Sequence, residues 1–124
     1  VMLSATEDET AAAIKKAKTD ADRNIRYDPA GRPEVANLLM LISLCTGEAP
    51  EAIAQKIGDG GGGMLKKMLI ETLNETLRPM RAERRRLEAS PDYIRSVLLD
   101  GAQKARAMAI ATLDEVRSVM NMVI

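Results

Sequence analysis

Residues 14–39 read IKKAKTDADRNIRYDPAGRPEVANLL and join the basic end of one helix to the start of a second through a polar corner. The corner is closely specified. Asp20, Asp22 and Asn24 offer side-chain caps to nearby backbone N–H groups, while Pro29, Gly31 and Pro33 fix or free the backbone at set points. Ile25 and Tyr27 are its apolar members and are expected to tuck beneath it as packed anchors, with Arg23, Arg26 and Arg32 reaching outward.

On the N-terminal side, Ser4 and Thr6 are each followed three residues later by an acid, Glu7 and Glu9, and Asp8 adds negative charge, so a helix starts here. Ala11, Ile14 and Ala17 carry its apolar stripe to about Lys18, and Lys15, Lys16 and Lys18 complement the dipole at its end. On the C-terminal side, a second helix is predicted over Pro33–Thr46, with Pro33 in its first turn and Gly47 closing it. Residues 38–44 are apolar nearly all round, which predicts burial. A short third helix opens at Pro50, sets Ile53, Ala54 and Ile57 on one side, and stops at Gly58.

The run Gly58-Asp59-Gly60-Gly61-Gly62-Gly63 could present backbone N–H groups to a phosphate. No strand precedes it and the Lys-Ser/Thr spacing of a P-loop is missing, so a connector is the better reading. Leu65, Met68, Leu69, Thr72, Leu73, Thr76, Leu77 and Met80 then recur at three- and four-residue spacing, the signature of a long amphipathic helix, which Pro79 should kink. Arg78, Arg81, Arg84, Arg85 and Arg86 crowd its end around a single acid, Glu83. Arg78, Arg81 and Arg85 share a helical face that could grip phosphates. A solvated helix end with local pairs, Arg78 with Glu75, Arg86 with Glu83, and Arg84 or Arg85 with Glu88, accounts for the same charges. Ser90-Pro91-Asp92 starts a last long helix. Its stripe from Ile94 through Val97, Leu98, Met108, Leu113 and Val116 to Met120, with small Gly101, Ala102, Ala105 and Ala109, is expected to pack closely on the long helix before it.

The pattern predicts an all-α bundle of about five helices in one domain spanning residues 1–124 with one core. Tyr27 and Tyr93 are the only aromatics, and abundant Ala, Leu and Met favour helices over sheet. Eighteen basic residues balance eighteen acidic ones, so any nucleic-acid site must be local. Cys45 alone can make no internal disulfide and has no neighbouring zinc ligands, which suits a reducing cytoplasm. No apolar run reaches the roughly twenty residues that span a bilayer, so no membrane partner is expected. Val1-Met2-Leu3 begins abruptly, as a piece cut from a longer polypeptide would.

Histidine is absent, Cys45 has no base beside it, and no carboxylate pair lies in an apolar setting, so no catalytic and no metal-binding residues are expected. The residues describe a helical binding or interaction module.

Several short motifs occur in a set order: Ile14-Lys15-Lys16-Ala17, Thr19-Asp20, Arg26-Tyr27-Asp28-Pro29, Arg32-Pro33, Asn37-Leu38-Leu39 with Thr46-Gly47, Lys66, Leu77-Arg78-Pro79, and Gly101-Ala102-Gln103-Lys104-Ala105-Arg106. In that order the chain resembles the C-terminal region of bacterial-type tryptophanyl-tRNA synthetases, class I aminoacyl-tRNA synthetases. Glu34 and Ala36 stand where the family usually carries glycine and serine, and the Gly58 to Gly63 run replaces a Gly-Lys-Gly-Tyr-Gly-like segment. The resemblance implies a helical domain that recognises the anticodon region of tRNA. It also implies a parent enzyme, a homodimer, whose Rossmann-type catalytic domain uses ATP and Mg through HIGH and KMSKS signatures that do not occur here, so this chain alone should be inactive. Partners are then tRNA and that catalytic domain, with no cofactor in this chain. By resemblance and by their donors and acceptors, Asp20, Asp22, Arg23 and Arg26 are the expected base contacts, and Arg78, Arg81 and Arg85 the expected phosphate contacts. The alternative role is a structural helical module that packs on the catalytic domain or makes dimer contacts without reading RNA.

Overall fold

The computed structural model describes residues 2–122. Five α-helices follow in order: α1 (Glu7–Lys16), α2 (Pro33–Thr46), α3 (Pro50–Ile57), a 3-10 turn at Gly58–Gly60, α4 (Gly61–Glu88) and α5 (Pro91–Val119), with no strand among the described residues. The all-α class is as the composition requires.

Each start and stop has a local cause. Thr6, and not Ser4, caps α1: its Oγ1 accepts from Glu9 N at 3.2 Å while Glu9 Oε2 accepts from Thr6 N at 2.8 Å, a reciprocal capping box. Pro33 and Pro50 occupy first-turn positions of α2 and α3, where a missing N–H costs nothing. Gly47 ends α2 at φ 77°, a left-handed conformation that a side chain would resist. The glycine run is more than a connector, since Gly61, Gly62 and Gly63 form the first turn of α4, and α4 continues as helix through Pro79.

The chain divides into two units, Val1–Ala82 and Glu83–Ile124. In the first, Ile14 of α1, Ile25 of the corner, Val35, Leu38, Leu39 and Ile42 of α2, Ile53, Ala54 and Ile57 of α3, and Leu65 and Leu69 of α4 form one core cluster. The expected all-round burial of α2 is only partial, because Leu44 and Met40 remain exposed on the side away from that cluster.

The second unit has no buried residue among those described. Val97 is 52% exposed, Leu98 68% and Met108 74%, so the expectation that the 94–120 stripe forms part of the core is not met. The periodicity correctly marks one apolar side of a helix, but Gly101, Ala102, Ala105 and Ala109 offer little area to bury, and periodicity names no partner. The unit is knit by short-range pairs: Arg84 with Glu88 at 2.7 Å, Arg86 with Glu83 at 2.7 Å, Lys104 with Asp100 at 2.7 Å, and the Arg86 guanidinium 6.0 Å from the Tyr93 ring centroid. No described helix is long and apolar enough to cross a membrane.

Candidate nucleic-acid interface

Between α1 and α2 the corner is built around Arg32, which is 6% exposed rather than outward-facing as expected. Its Nε and Nη2 donate to the two carboxylate oxygens of Asp20 at 2.6 and 2.5 Å, its Nη1 to Asn24 O at 2.6 Å, and Nη2 again to Asp22 O at 3.2 Å. A planar fork with fixed donors is suited to tying a carboxylate and two carbonyls at once. The Arg32 hydrogen bond holds the Asp20 carboxyl below the usual carboxylate range, against the opposing cost of desolvation. Asp22 N donates to Asp20 Oδ1 at 3.1 Å, Asn24 N to Asp22 Oδ1 at 3.0 Å, and Gly31 N to Asp28 Oδ1 at 2.9 Å, so aspartates shape the backbone turn by turn.

The corner is also fastened to the glycine segment. Ile25 N donates to Gly58 O at 2.8 Å, Gly61 N to Arg23 O at 2.9 Å, and Asn24 Nδ2 to Asp59 Oδ1 at 2.9 Å. A Cβ on Gly62 would sit 2.9 Å from Thr19 Oγ1, so glycine there permits the close approach of α4 to the corner. Ile25 is buried and Tyr27 half-buried against the core, as anchors should be.

This frame separates the four expected base contacts by role. Asp20 spends both oxygens on Arg32. Asp22 holds the Asn24 backbone and lies 3.5 Å from Arg26 Nη1, keeping a part-exposed carboxylate. Arg26 is exposed with only that long pairing, and exposed Arg23 makes no side-chain hydrogen bond or ion pair among the described residues. Beside them a groove of about 450 Å³ is lined by Asn24, Ile25, Arg26, Tyr27, Glu51, Ala54, Gln55 and Gly58. Gln55 and Glu51 come from α3 and carried no signal in sequence, because tertiary contacts, the Ile25 to Gly58 bond among them, bring the corner against that helix.

The three arginines expected on phosphates do not act alike. Arg81 is 8% exposed, and its guanidinium donates to Ala5 O at 2.9 Å, Asn74 Oδ1 at 2.9 Å and Thr10 Oγ1 at 2.8 Å. With its donors spent inside the first unit, Arg81 does not fit a phosphate contact; it ties α4 to α1 and to the segment preceding α1. Arg78 pairs with Glu75 at 2.9 Å and lies 3.5 Å from Glu7. Arg85 is exposed and carries no pairing among the described residues. Arg84 and Arg86 take the local glutamates that the sequence offered.

A cation cluster that the arginine pattern overshadowed lies between α1 and α4, where Lys15, Lys66 and Lys67 line a groove of about 360 Å³. Sequence assigned Lys15 to the helix dipole alone. Among the described residues no three His, Cys, Asp or Glu side chains converge as a metal site.

A helical unit whose charge-locked corner displays cations and amides beside a groove is, as a class, an all-α module. The chain belongs to the class I tRNA synthetases of the W and Y type, the family whose model matches residues 1–78. It is 38% identical over 109 residues to tryptophan–tRNA ligase of Gloeobacter violaceus, covering 88% of this chain and 32% of that protein. Tryptophan–tRNA ligase 1 of Streptomyces coelicolor is 42% identical over 102 residues, 82% of this chain and 30% of that protein. The mitochondrial tryptophan–tRNA ligase of Dictyostelium discoideum is 28% identical over 122 residues, covering 98% of this chain and 32% of that protein. The chain therefore spans about a third of the length of these relatives.

Proposed function

We propose that this chain is the tRNA-binding part of a tryptophan–tRNA ligase and that its corner reads the anticodon region. The observation that carries the reading is the Arg32-centred frame, which spends buried hydrogen bonds on presenting Arg26 and Tyr27 beside the α3 groove. Anticodon bases are unstacked, so their edges and faces are open to guanidinium, amide and aromatic side chains. Arg23, Arg26 and the exposed carboxylate of Asp22 contact bases, Gln55 adds an amide from α3, and Asp20 positions the corner without touching RNA. Arg85 contacts phosphate, as does Arg78 when it exchanges its glutamates. The parent protein is a cytoplasmic homodimer whose catalytic domain binds ATP and Mg and activates tryptophan; nothing in this chain's residues is given a step in that chemistry, and the chain alone gives no tryptophan-dependent pyrophosphate exchange.

The test is binding of tRNA with the cognate or an altered anticodon by the protein that carries this chain. Arg26→Ala is expected to erode the discrimination by about 1–3 kcal/mol. Equal binding of both RNAs by the unaltered protein overturns the anticodon reading. The rival reading, a structural module that packs in the parent enzyme, is favoured by the bare apolar stripe of α5. Binding to RNA that weakens steeply with salt supports the first, and salt-insensitive association with protein alone supports the second.

A further inference from the structure

The basic side chains of the first unit fall into two groups. Lys18, Arg26, Arg32, Lys56 and Arg78 each lie within 4 Å of a carboxylate, and Arg81 is spent on neutral partners. Lys15, Lys16, Arg23, Lys66 and Lys67 pair with no carboxylate among the described residues. All five unpaired cations lie on two stretches of chain that run side by side. Lys66 Nζ donates to Lys15 O at 3.2 Å, Gly61 N to Arg23 O at 2.9 Å, and Gly62 abuts Thr19.

The dipole of α1 accounts for Lys15 and Lys16, which lie in its last turn, but no helix dipole explains Lys66 and Lys67. The Lys66 ammonium reaches across to a carbonyl at the end of α1, which sets the lysines of the two helices beside one another. Lys66 and Lys67 sit in the N-terminal part of α4, the end that favours anions, and the first turn there holds no acid. Between the two helices the groove of about 360 Å³ has Lys15, Lys66 and Lys67 against apolar Ala11 and Ile70, with Glu71 its one acid. In a chain of zero net charge, this is a local concentration of positive charge, three lysines against the single carboxylate of Glu71.

We infer that Lys15, Lys66 and Lys67 form a track for the sugar–phosphate backbone of the bound tRNA, distinct from the corner and the α3 groove that take bases. The inference rests on the tRNA-binding reading above and adds a surface to it. Because phosphate contacts carry no sequence information, the track contributes affinity and register while the corner contributes discrimination.

The test is tRNA binding by the protein carrying this chain, measured by fluorescence anisotropy across a salt series, for the unaltered protein, K15Q/K67Q, K15R/K67R and the control R95Q/R106Q on α5. Both track lysines are exposed, and matched melting temperatures verify that the variants fold. K15Q/K67Q is expected to lower the slope of log affinity against log salt by about 1.4–1.8 for two lost contacts. It should weaken cognate and altered-anticodon tRNA by the same factor, while K15R/K67R restores the slope and R95Q/R106Q leaves it unchanged. An unchanged slope in K15Q/K67Q, with intact anticodon discrimination, overturns the track and leaves the anticodon reading standing. Loss of discrimination without loss of slope also overturns it. Absence of salt-dependent tRNA binding by the unaltered protein defeats both.

Discussion

The stripe on α4 from Leu65 to Leu77 and the stripe on α5 from Ile94 to Met120 are written in the same three- and four-residue spacing. Leu65 and Leu69 are fully covered, whereas Val97, Leu98 and Met108 are more than half exposed. What differs is the supply of partners. Leu65 and Leu69 share one core cluster with Ile14, Ile25, Leu39 and Ile42 from three other segments, while no described residue of α5 belongs to that cluster. A hydrophobic period therefore specifies a side that can be buried, and the rest of the sequence decides whether it is.

The largest effect that tests this contrast is on stability. Leu39→Ala or Leu69→Ala should cost about 2–5 kcal/mol in urea denaturation, through lost transfer energy and the cavity left behind. Leu98→Ala should stay within about 0.5 kcal/mol, as an exposed substitution does. Comparable losses at the two sites would show that the α5 stripe is covered in solution. Hydrogen exchange offers a second view, with α2 amides protected at the global unfolding energy and α5 amides opening well below it.

A sharper version of the contrast lies within one helix. Arg81 and Arg85 are one turn apart on α4, and sequence placed them on the same face for the same task. Arg81→Ala strands the acceptors of Ala5, Thr10 and Asn74 and should cost about 1–3 kcal/mol or more, whereas Arg85→Ala should lie within about 0.5 kcal/mol. Urea midpoints for the two variants check this, and equal midpoints would remove the structural role given to Arg81.

These arginines also show where sequence reading stops. Caps, first-turn prolines and Gly47 are local signals acting across a few residues, and they place α1, α2 and α3 to within about two residues. Arg81 finds Thr10 and Ala5 more than seventy positions away, and no pattern of charge along one helix encodes that meeting. Arg32 pairs with Asp20 across an irregular loop, where no period exists to say which side is inside. The corner was legible as a site from its residue types, but its division into holders and displayers depends on that one buried guanidinium. The lysine groove was illegible for the same reason, since it requires α1 and α4 to be set side by side.

The smallest expected effect compares the same kind of pair in the two units. Hydrogen bonds from Arg32 to Asp20 and from Arg86 to Glu83 lower both carboxyl pKa values. A carboxyl whose pKa is depressed on folding adds stability that is fully present above its unfolded value, 3.8 for Asp20 and 4.5 for Glu83, and is lost as pH falls through the folded value. Arg86 and Glu83 are both well exposed, so solvent screens that pair and protonating Glu83 should barely move stability. Arg32 is buried, so protonating Asp20 leaves its guanidinium with only the longer 3.6 Å pair to Asp22, and the acid loss should fall on the first unit. Urea midpoints measured downward from pH 5 should therefore decline in the unaltered chain and in Glu83→Gln alike, with a flatter decline in Asp20→Asn once its lower stability at neutral pH is subtracted. A slope that Glu83→Gln flattens and Asp20→Asn leaves intact would place the acid-sensitive pair in the second unit and undo the central role given to Arg32.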